Sequence, residues 1–131
     1  MIALDTNVLV RFVVEDDLEQ SRRAKDFLRK NIRKRVRFYI SDLVLCETVW
    51  VLSRAYGFTR PEICNALRQL VSARELVFAS PERTHGAIDS CEQGRGDFSD
   101  YMILEEALSA GCTAVATFDK GLLRERGFVA P

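Results

Sequence analysis

The sequence is short of the residues on which several common activities depend. It contains one histidine, His85, so a zinc or copper centre built from imidazoles cannot be assembled from it. No Gly-Lys-Ser/Thr phosphate loop, G-x-G-x-x-G fingerprint or G-x-S-x-G elbow occurs, which removes P-loop, dinucleotide-binding and serine-hydrolase chemistry from consideration. Cys46, Cys64, Cys91 and Cys112 are far apart and include no C-x-x-C pair. That spacing argues against a zinc ribbon and for reduced, buried thiols. The three prolines and seven glycines gather into no linker, and there is no repeat or low-complexity tract. No run approaches the ~20 apolar residues of a membrane helix. The opening Met-Ile-Ala-Leu-Asp shows neither a basic leader nor a cleavage site, so the expected location is the cytoplasm, away from any membrane.

What is present suits one globular domain spanning residues 1–131, with 47% hydrophobic and 29% charged residues. Net charge is zero but unevenly spread. Between Ser21 and Arg37 stand Arg22, Arg23, Lys25, Arg29, Lys30, Arg33, Lys34, Arg35 and Arg37 against the single acid Asp26, so this segment carries +8 and the remainder −8. Ala24, Phe27, Leu28 and Ile32 form an apolar stripe at helical spacing, which makes the cations the solvated face of an amphipathic helix. The same face suits a polyanion such as nucleic acid, with Arg22, Arg29, Arg33 and Arg35 as candidate RNA-binding residues.

Along the chain, short apolar runs alternate with helical periods. Strands are expected at Ile2–Leu4, Phe38–Ile40, Glu75–Phe78, Thr113–Ala116 and Phe128–Val129. Helices are expected at Leu18–Ile32, Asp42–Arg54, Arg60–Ala73, from Pro81 to about Gln93, and Asp100–Ala110, with a short one at Lys120–Arg124. The stripe Ile63, Leu67, Leu70 and Val71 suits a core or a dimer interface. Strands separated by helices imply an α/β fold with a central, mostly parallel sheet of four to five strands flanked by helices. Ligands in such sheets sit beyond the carboxyl ends of the strands.

Acids stand at those ends. Asp5 follows the first strand and opens Asp5-Thr6-Asn7, a tripeptide that equally suits an Asx turn or helix cap. Glu47 is the only charge in Leu43–Ser53, so a buried helix carrying a carboxylate that needs compensation is expected there, the alternatives being a buried arginine pair or a glutamate that reaches the rim. Asp97 and Asp100 have capping-box spacing, and Asp119 follows its strand as Asp5 follows the first. If both strands are central and parallel, Asp5 and Asp119 leave the same sheet edge, where Glu47 and Asp100 can join them. Gathered carboxylates repel and call for a cation. An all-oxygen ligand set selects Mg²⁺ or Mn²⁺, and a pair of such ions about 3.5–4 Å apart can activate water against a phosphodiester.

Leu4-Asp5-Thr6-Asn7-Val8-Leu9-Val10, the lone Glu47, Asp97-Phe98-Ser99-Asp100-Tyr101-Met102-Ile103 and Ala116-Thr117-Phe118-Asp119-Lys120 together resemble the signatures of PIN domains, specifically the VapC toxin ribonucleases. The resemblance runs in order over essentially the whole chain. It implies a Mg²⁺- or Mn²⁺-dependent endoribonuclease that cuts structured RNA such as tRNA or rRNA. It also implies a homodimer held inactive by a cognate VapB antitoxin. Carried across, Asp5, Glu47 and Asp100 match metal-binding catalytic acids and Asp119 a more variable fourth. Thr6, Asn7 and Thr117 match orienting polar positions, and Asp97 an acid in front of the third. The dense basic segment is not a hallmark of that family. An alternative is a catalytically silent PIN-like RNA-binding or interaction module, separable only by activity. A receiver-like phosphoacceptor domain fits less well, because Asp5-Thr6-Asn7 lacks paired acids.

Overall fold

A computed structural model describes residues Met1 to Pro131 as two compact units, Met1–Ala79 and Ser80–Pro131. The first holds β1 (Ile2–Ala3), α1 (Thr6–Val13), α2 (Leu18–Arg33), β2 (Phe38–Ile40), α3 (Asp42–Arg54), α4 (Arg60–Ser72) and β3 (Leu76–Phe78). The second holds α5 (Pro81–Gln93), α6 (Phe98–Ser109), β4 (Val115–Ala116), a 3-10 turn at Leu122–Arg124 and β5 (Phe128–Val129). No helix is long and apolar enough to cross a membrane.

The fold class is α/β with parallel strands throughout, but the single four- to five-stranded sheet is replaced by two smaller ones. β1, β2 and β3 form a three-stranded parallel sheet in that order, with Ile2 opposite Phe38 and Phe38 opposite Leu76. β4 pairs only with β5, Val115 opposite Phe128. The reason lies in the connections. Each strand of the first unit follows its neighbour through a pair of helices folded back on it, whereas α5 and α6, which follow β3, pack on each other and lead into a separate short ladder. That ladder is held by the Val115 and Thr117 N–H groups donating to Gly127 and Val129 carbonyls.

Local chemistry sets the boundaries. Asp17, Ser41 and Ser80 cap α2, α3 and α5 by accepting from Gln20, Val44 and Arg83 N–H groups. Thr59 and Glu62 form a reciprocal capping box on α4, with Pro61 in its first turn. Gly57, at φ +65°, allows the reversal that ends α3, with the Phe58 N–H returning to the Leu52 carbonyl.

In the first unit the core gathers Leu9, Phe38, Ile40, Leu45, Leu52 and Leu67, with the Phe27 ring tilted against Phe38 at 5.9 Å. Ile63 and Leu67 of the expected stripe are buried and Leu70 and Val71 half-buried, so most of that stripe is core. In the second unit Ala87, Ile88, Phe98, Tyr101 and Met102 are buried. Of the cysteines, Cys64 and Cys91 are buried, Cys46 is half-buried and Cys112 is exposed, and none is in a disulfide. The expectation of buried thiols thus fails at Cys112, which lies in the loop after α6 rather than in a strand.

Candidate active site

In the first unit, β1 delivers Asp5 to the start of α1, a helix the sequence pattern did not announce. Asp5 occupies the N-cap position with extended backbone, φ −83° and ψ 160°, yet its side chain makes no capping hydrogen bond. The Val8 and Leu9 N–H groups are served instead by the Asp5 carbonyl. The turn or cap role that the tripeptide suggests is therefore not exercised by the carboxylate, which lies exposed at a positive helix end. Asn7 is exposed one residue into α1.

Thr6 is buried, 3% exposed, and its Oγ1 donates to Glu47 Oε2 at 3.0 Å. That contact ties α1 to α3 across the unit and fixes one oxygen of Glu47. Glu47 itself is exposed, contrary to the expectation of a buried helix. Leu43 and Trp50, 84% and 61% exposed, share its face, so α3 shows solvent an apolar stripe that a one-charge helix conceals in sequence. The carboxylate consequently needs no buried cation. Its opposite face carries Leu45, Thr48 and Leu52 into the core.

In the second unit, Asp97 is the N-cap of α6 and its N–H donates to Asp100 Oδ2 at 2.8 Å. Asp100 thus spends an oxygen on the helix end. Partial burial holds its carboxyl above the ordinary range, and the negative charges of Asp97, Asp119 and Glu125 push the same way, against the Asp97 N–H bond. Asp119 Oδ1 accepts from the Gly121 and Leu122 N–H groups at 2.8 and 3.2 Å, capping the turn that follows, while Thr117 Oγ1 accepts from the Asp119 N–H.

Two members of this group escaped the sequence reading. The Tyr101 hydroxyl donates to Glu125 at 2.7 Å and accepts from the Gly96 N–H at 2.9 Å. Gly94 lies against the same pair, and a Cβ there would collide with both the Tyr101 hydroxyl and Glu125. The signal available was Gly94-Arg95-Gly96, two glycines around one residue between α5 and α6. His85 is an exposed surface residue.

Asp5 and Asp119 follow strands of different sheets, which removes the shared sheet edge as an argument for their convergence. What the structure brings together is Thr6 with Glu47 in one unit and Asp100 with Asp97, Asp119 and Glu125 in the other. In neither unit do three histidine, cysteine or carboxylate side chains already form a cluster able to hold a metal ion. The donor chemistry nonetheless suits a hard divalent ion, since every candidate ligand is a carboxylate oxygen and the negative charges of Asp97, Asp119 and Glu125 act on Asp100.

The description of the PIN domain matches the chain over residues 2–128. No curated protein matches it. PIN domains are generally metal-dependent nucleases, so a nuclease-type, hydrolytic function is what this match points to. With the match extending over both units and all four candidate carboxylates inside it, the chain belongs to the PIN domain family.

Proposed function

We propose that this protein is a Mg²⁺- or Mn²⁺-dependent endoribonuclease of the VapC toxin kind, the toxin half of a toxin–antitoxin pair, cutting RNA such as tRNA or rRNA. It acts as a homodimer in the cytoplasm and is restrained by a cognate VapB-type antitoxin. The observation that carries the reading is the state of Asp5. An exposed acid at a helix start makes no capping bond, although a cap is what its position would otherwise be for. That leaves both its oxygens free for a ligand.

The metal-binding role falls to Asp5 and Glu47 in the first unit and to Asp100 and Asp119 in the second. Bound there, a divalent cation supplies Lewis acidity, making water a usable nucleophile near neutral pH and offsetting charge on the scissile phosphate. The chain's own part is positioning. Thr6 fixes Glu47 by its hydroxyl, and Thr117 fixes the backbone at Asp119. Asp97 holds Asp100 at the head of α6. Asn7 stands two residues after Asp5 as a polar group for substrate or water.

The test is incubation of the purified protein with total cellular RNA and Mg²⁺ or Mn²⁺, with EDTA and the Asp5→Asn protein in parallel. Discrete fragments lost in both controls are expected. An Asp5→Asn protein that folds and still cuts would overturn the site assignment. No cleavage by protein free of bound inhibitor would favour the silent RNA-binding module.

A further inference from the structure

The proposed nuclease reading leaves the most unusual chemical feature of the chain unused. α2 turns Ser21 and Ala24 into the first unit and presents Arg22, Arg23, Arg29, Lys30 and Arg33 to solvent. Exposed Lys34 and Arg35 continue this face past the helix end. Of the segment's cations only Lys25 is in an ion pair, with Glu15. Arg11, outside the segment, pairs with Asp16. Arg29, Lys30, Arg33 and Lys34, with Asp26, line a concavity of about 390 Å³.

Ordinary helix electrostatics accounts for only part of this, since Glu19 with Arg23 and Asp26 with Arg22 and Lys30 are the opposite-charge pairs at i, i+4. Cations favour the last turn, where the macrodipole is negative, and Lys30 and Arg33 are placed accordingly. Arg22 and Arg23 lie in the opposite half of the helix, beyond that effect. Arg29 with Arg33 and Lys30 with Lys34 are like charges at i, i+4, an arrangement that weakens a helix.

The helix end adds a second, independent observation. The Arg35 N–H donates to the Ile32 carbonyl and the Val36 N–H to that of Asn31, which is a Schellman closure. Its left-handed position, at φ +60°, is held by Arg35, the one non-glycine residue of the chain with positive φ. Glycine would sit there without strain. The chain keeps a cation at a place where its backbone is disfavoured, which points to what the guanidinium does.

We infer that this face of α2, from Arg22 to Arg35, is a docking track for the phosphate backbone of the RNA substrate, an inference that rests on the nuclease reading. The stretch from Arg22 to Arg33 covers about 16 Å of helix at 1.5 Å per residue, room for several consecutive phosphates. Arginine, which pairs with phosphate in a bidentate fork, supplies most of the cations. The exposed apolar side chains of α2, Leu18, Phe27 and Ile32, lie at the margins of this face, and its middle is held by Arg22, Asp26, Arg29 and Arg33, so it lacks the apolar centre that a protein partner needs.

The test measures binding of a fluorescein-labelled single-stranded RNA to the full chain in EDTA, by anisotropy, from about 50 to about 200 mM salt. Each phosphate contact contributes about 0.7 to the logarithmic salt slope, so Arg29→Gln, Arg33→Gln and Arg35→Gln together should lower it by up to about 2 and weaken binding at least tenfold at low salt. The single variant Arg35→Gly should melt at higher temperature than the parent yet bind RNA less tightly, a combination that a merely structural arginine would not produce. Unchanged affinity and slope in the folded triple variant would overturn the track. So would loss of binding to a polyaspartate peptide with RNA binding intact, which would assign the face to an acidic protein. If the parent binds through this face but cuts nothing with Mn²⁺, the track stands and the nuclease reading falls. If it cuts while the triple variant binds normally, the reverse holds.

Discussion

Replacing Thr6 with valine tests whether its hydrogen bond from α1 to Glu47 of α3 has a positioning role. Valine keeps the shape and the β-branch of a residue only 3% exposed and exchanges its hydroxyl for a methyl group. What disappears is the hydroxyl that donates to Glu47 Oε2 at 3.0 Å. A hydrogen bond to a charged group contributes about 1.5–3 kcal/mol, but Glu47 is exposed and water can take the vacated place, so the stability loss should stay below about 1 kcal/mol. The orientation of the carboxylate is a different quantity, because water imposes no fixed direction. Outer partners of metal-binding carboxylates typically contribute 10–100-fold in metal affinity or activity.

The expected result is therefore an almost unchanged melting temperature without metal, with Mn²⁺ affinity and kcat/KM each down by at least about tenfold. Thermal denaturation, calorimetric Mn²⁺ titration and RNA cleavage provide the three readings. Thr6→Ser supplies the control, since it keeps the donor and loses only a methyl group. If Thr6→Val binds Mn²⁺ like the parent, or if Thr6→Ser is as impaired as Thr6→Val, the hydroxyl is not positioning Glu47 and the reasoning fails.

Two further outcomes follow from groups whose environment opposes them. The Asp100 carboxyl titrates above its ordinary value, chiefly through burial, so the native state binds its proton more tightly than the unfolded chain and the ionised form penalises folding above that raised pKa. Without metal, Asp100→Asn should raise the melting temperature at neutral pH, with the advantage shrinking as pH falls through the raised value; a destabilised variant would refute the charge argument. Thr48 is fully buried and its Oγ1 has no partner, which costs about 1–3 kcal/mol, so Thr48→Val should raise stability by about 1 kcal/mol in urea denaturation. A loss of stability would show that the hydroxyl is satisfied.

Much of the architecture was legible because local signals and tertiary packing agree. Ser41, Thr59 and Ser80 announce their helices by side-chain chemistry, and Pro61 and Pro81 sit in first turns. α1 was not legible. Val8, Val10, Val13 and Val14 are β-branched, and only the burial of Leu9 and Val10 against α2 and α3 makes the segment helical. The division of the strands was hidden for another reason. β1, β4 and β5 are two residues each, too short for the pattern of any one strand to specify its neighbour. At Glu47, a lone charge in an apolar run reads as buried unless the solvent face is itself apolar, and Leu43 and Trp50 make it so.

The candidate acids differ in how far structure and chemistry compete for them. Asp5 makes no capping bond, whereas Asp119 caps the turn at Gly121 and Leu122, and Asp100 accepts from the Asp97 N–H. Alanine at Asp119 or Asp100 would remove a metal-binding oxygen and a helix-end acceptor together, and lost activity could then arise from a displaced backbone. Asparagine keeps one acceptor oxygen and removes only the charge. The charge is what a divalent ion requires and what the N–H donors do not, so carboxamide variants separate the two roles at these positions. At Asp5 alanine and asparagine should agree, because there no side-chain cap is lost. Agreement at Asp5 beside divergence at Asp119 and Asp100 is thus the pattern expected if the second unit's two acids also hold the fold that presents them.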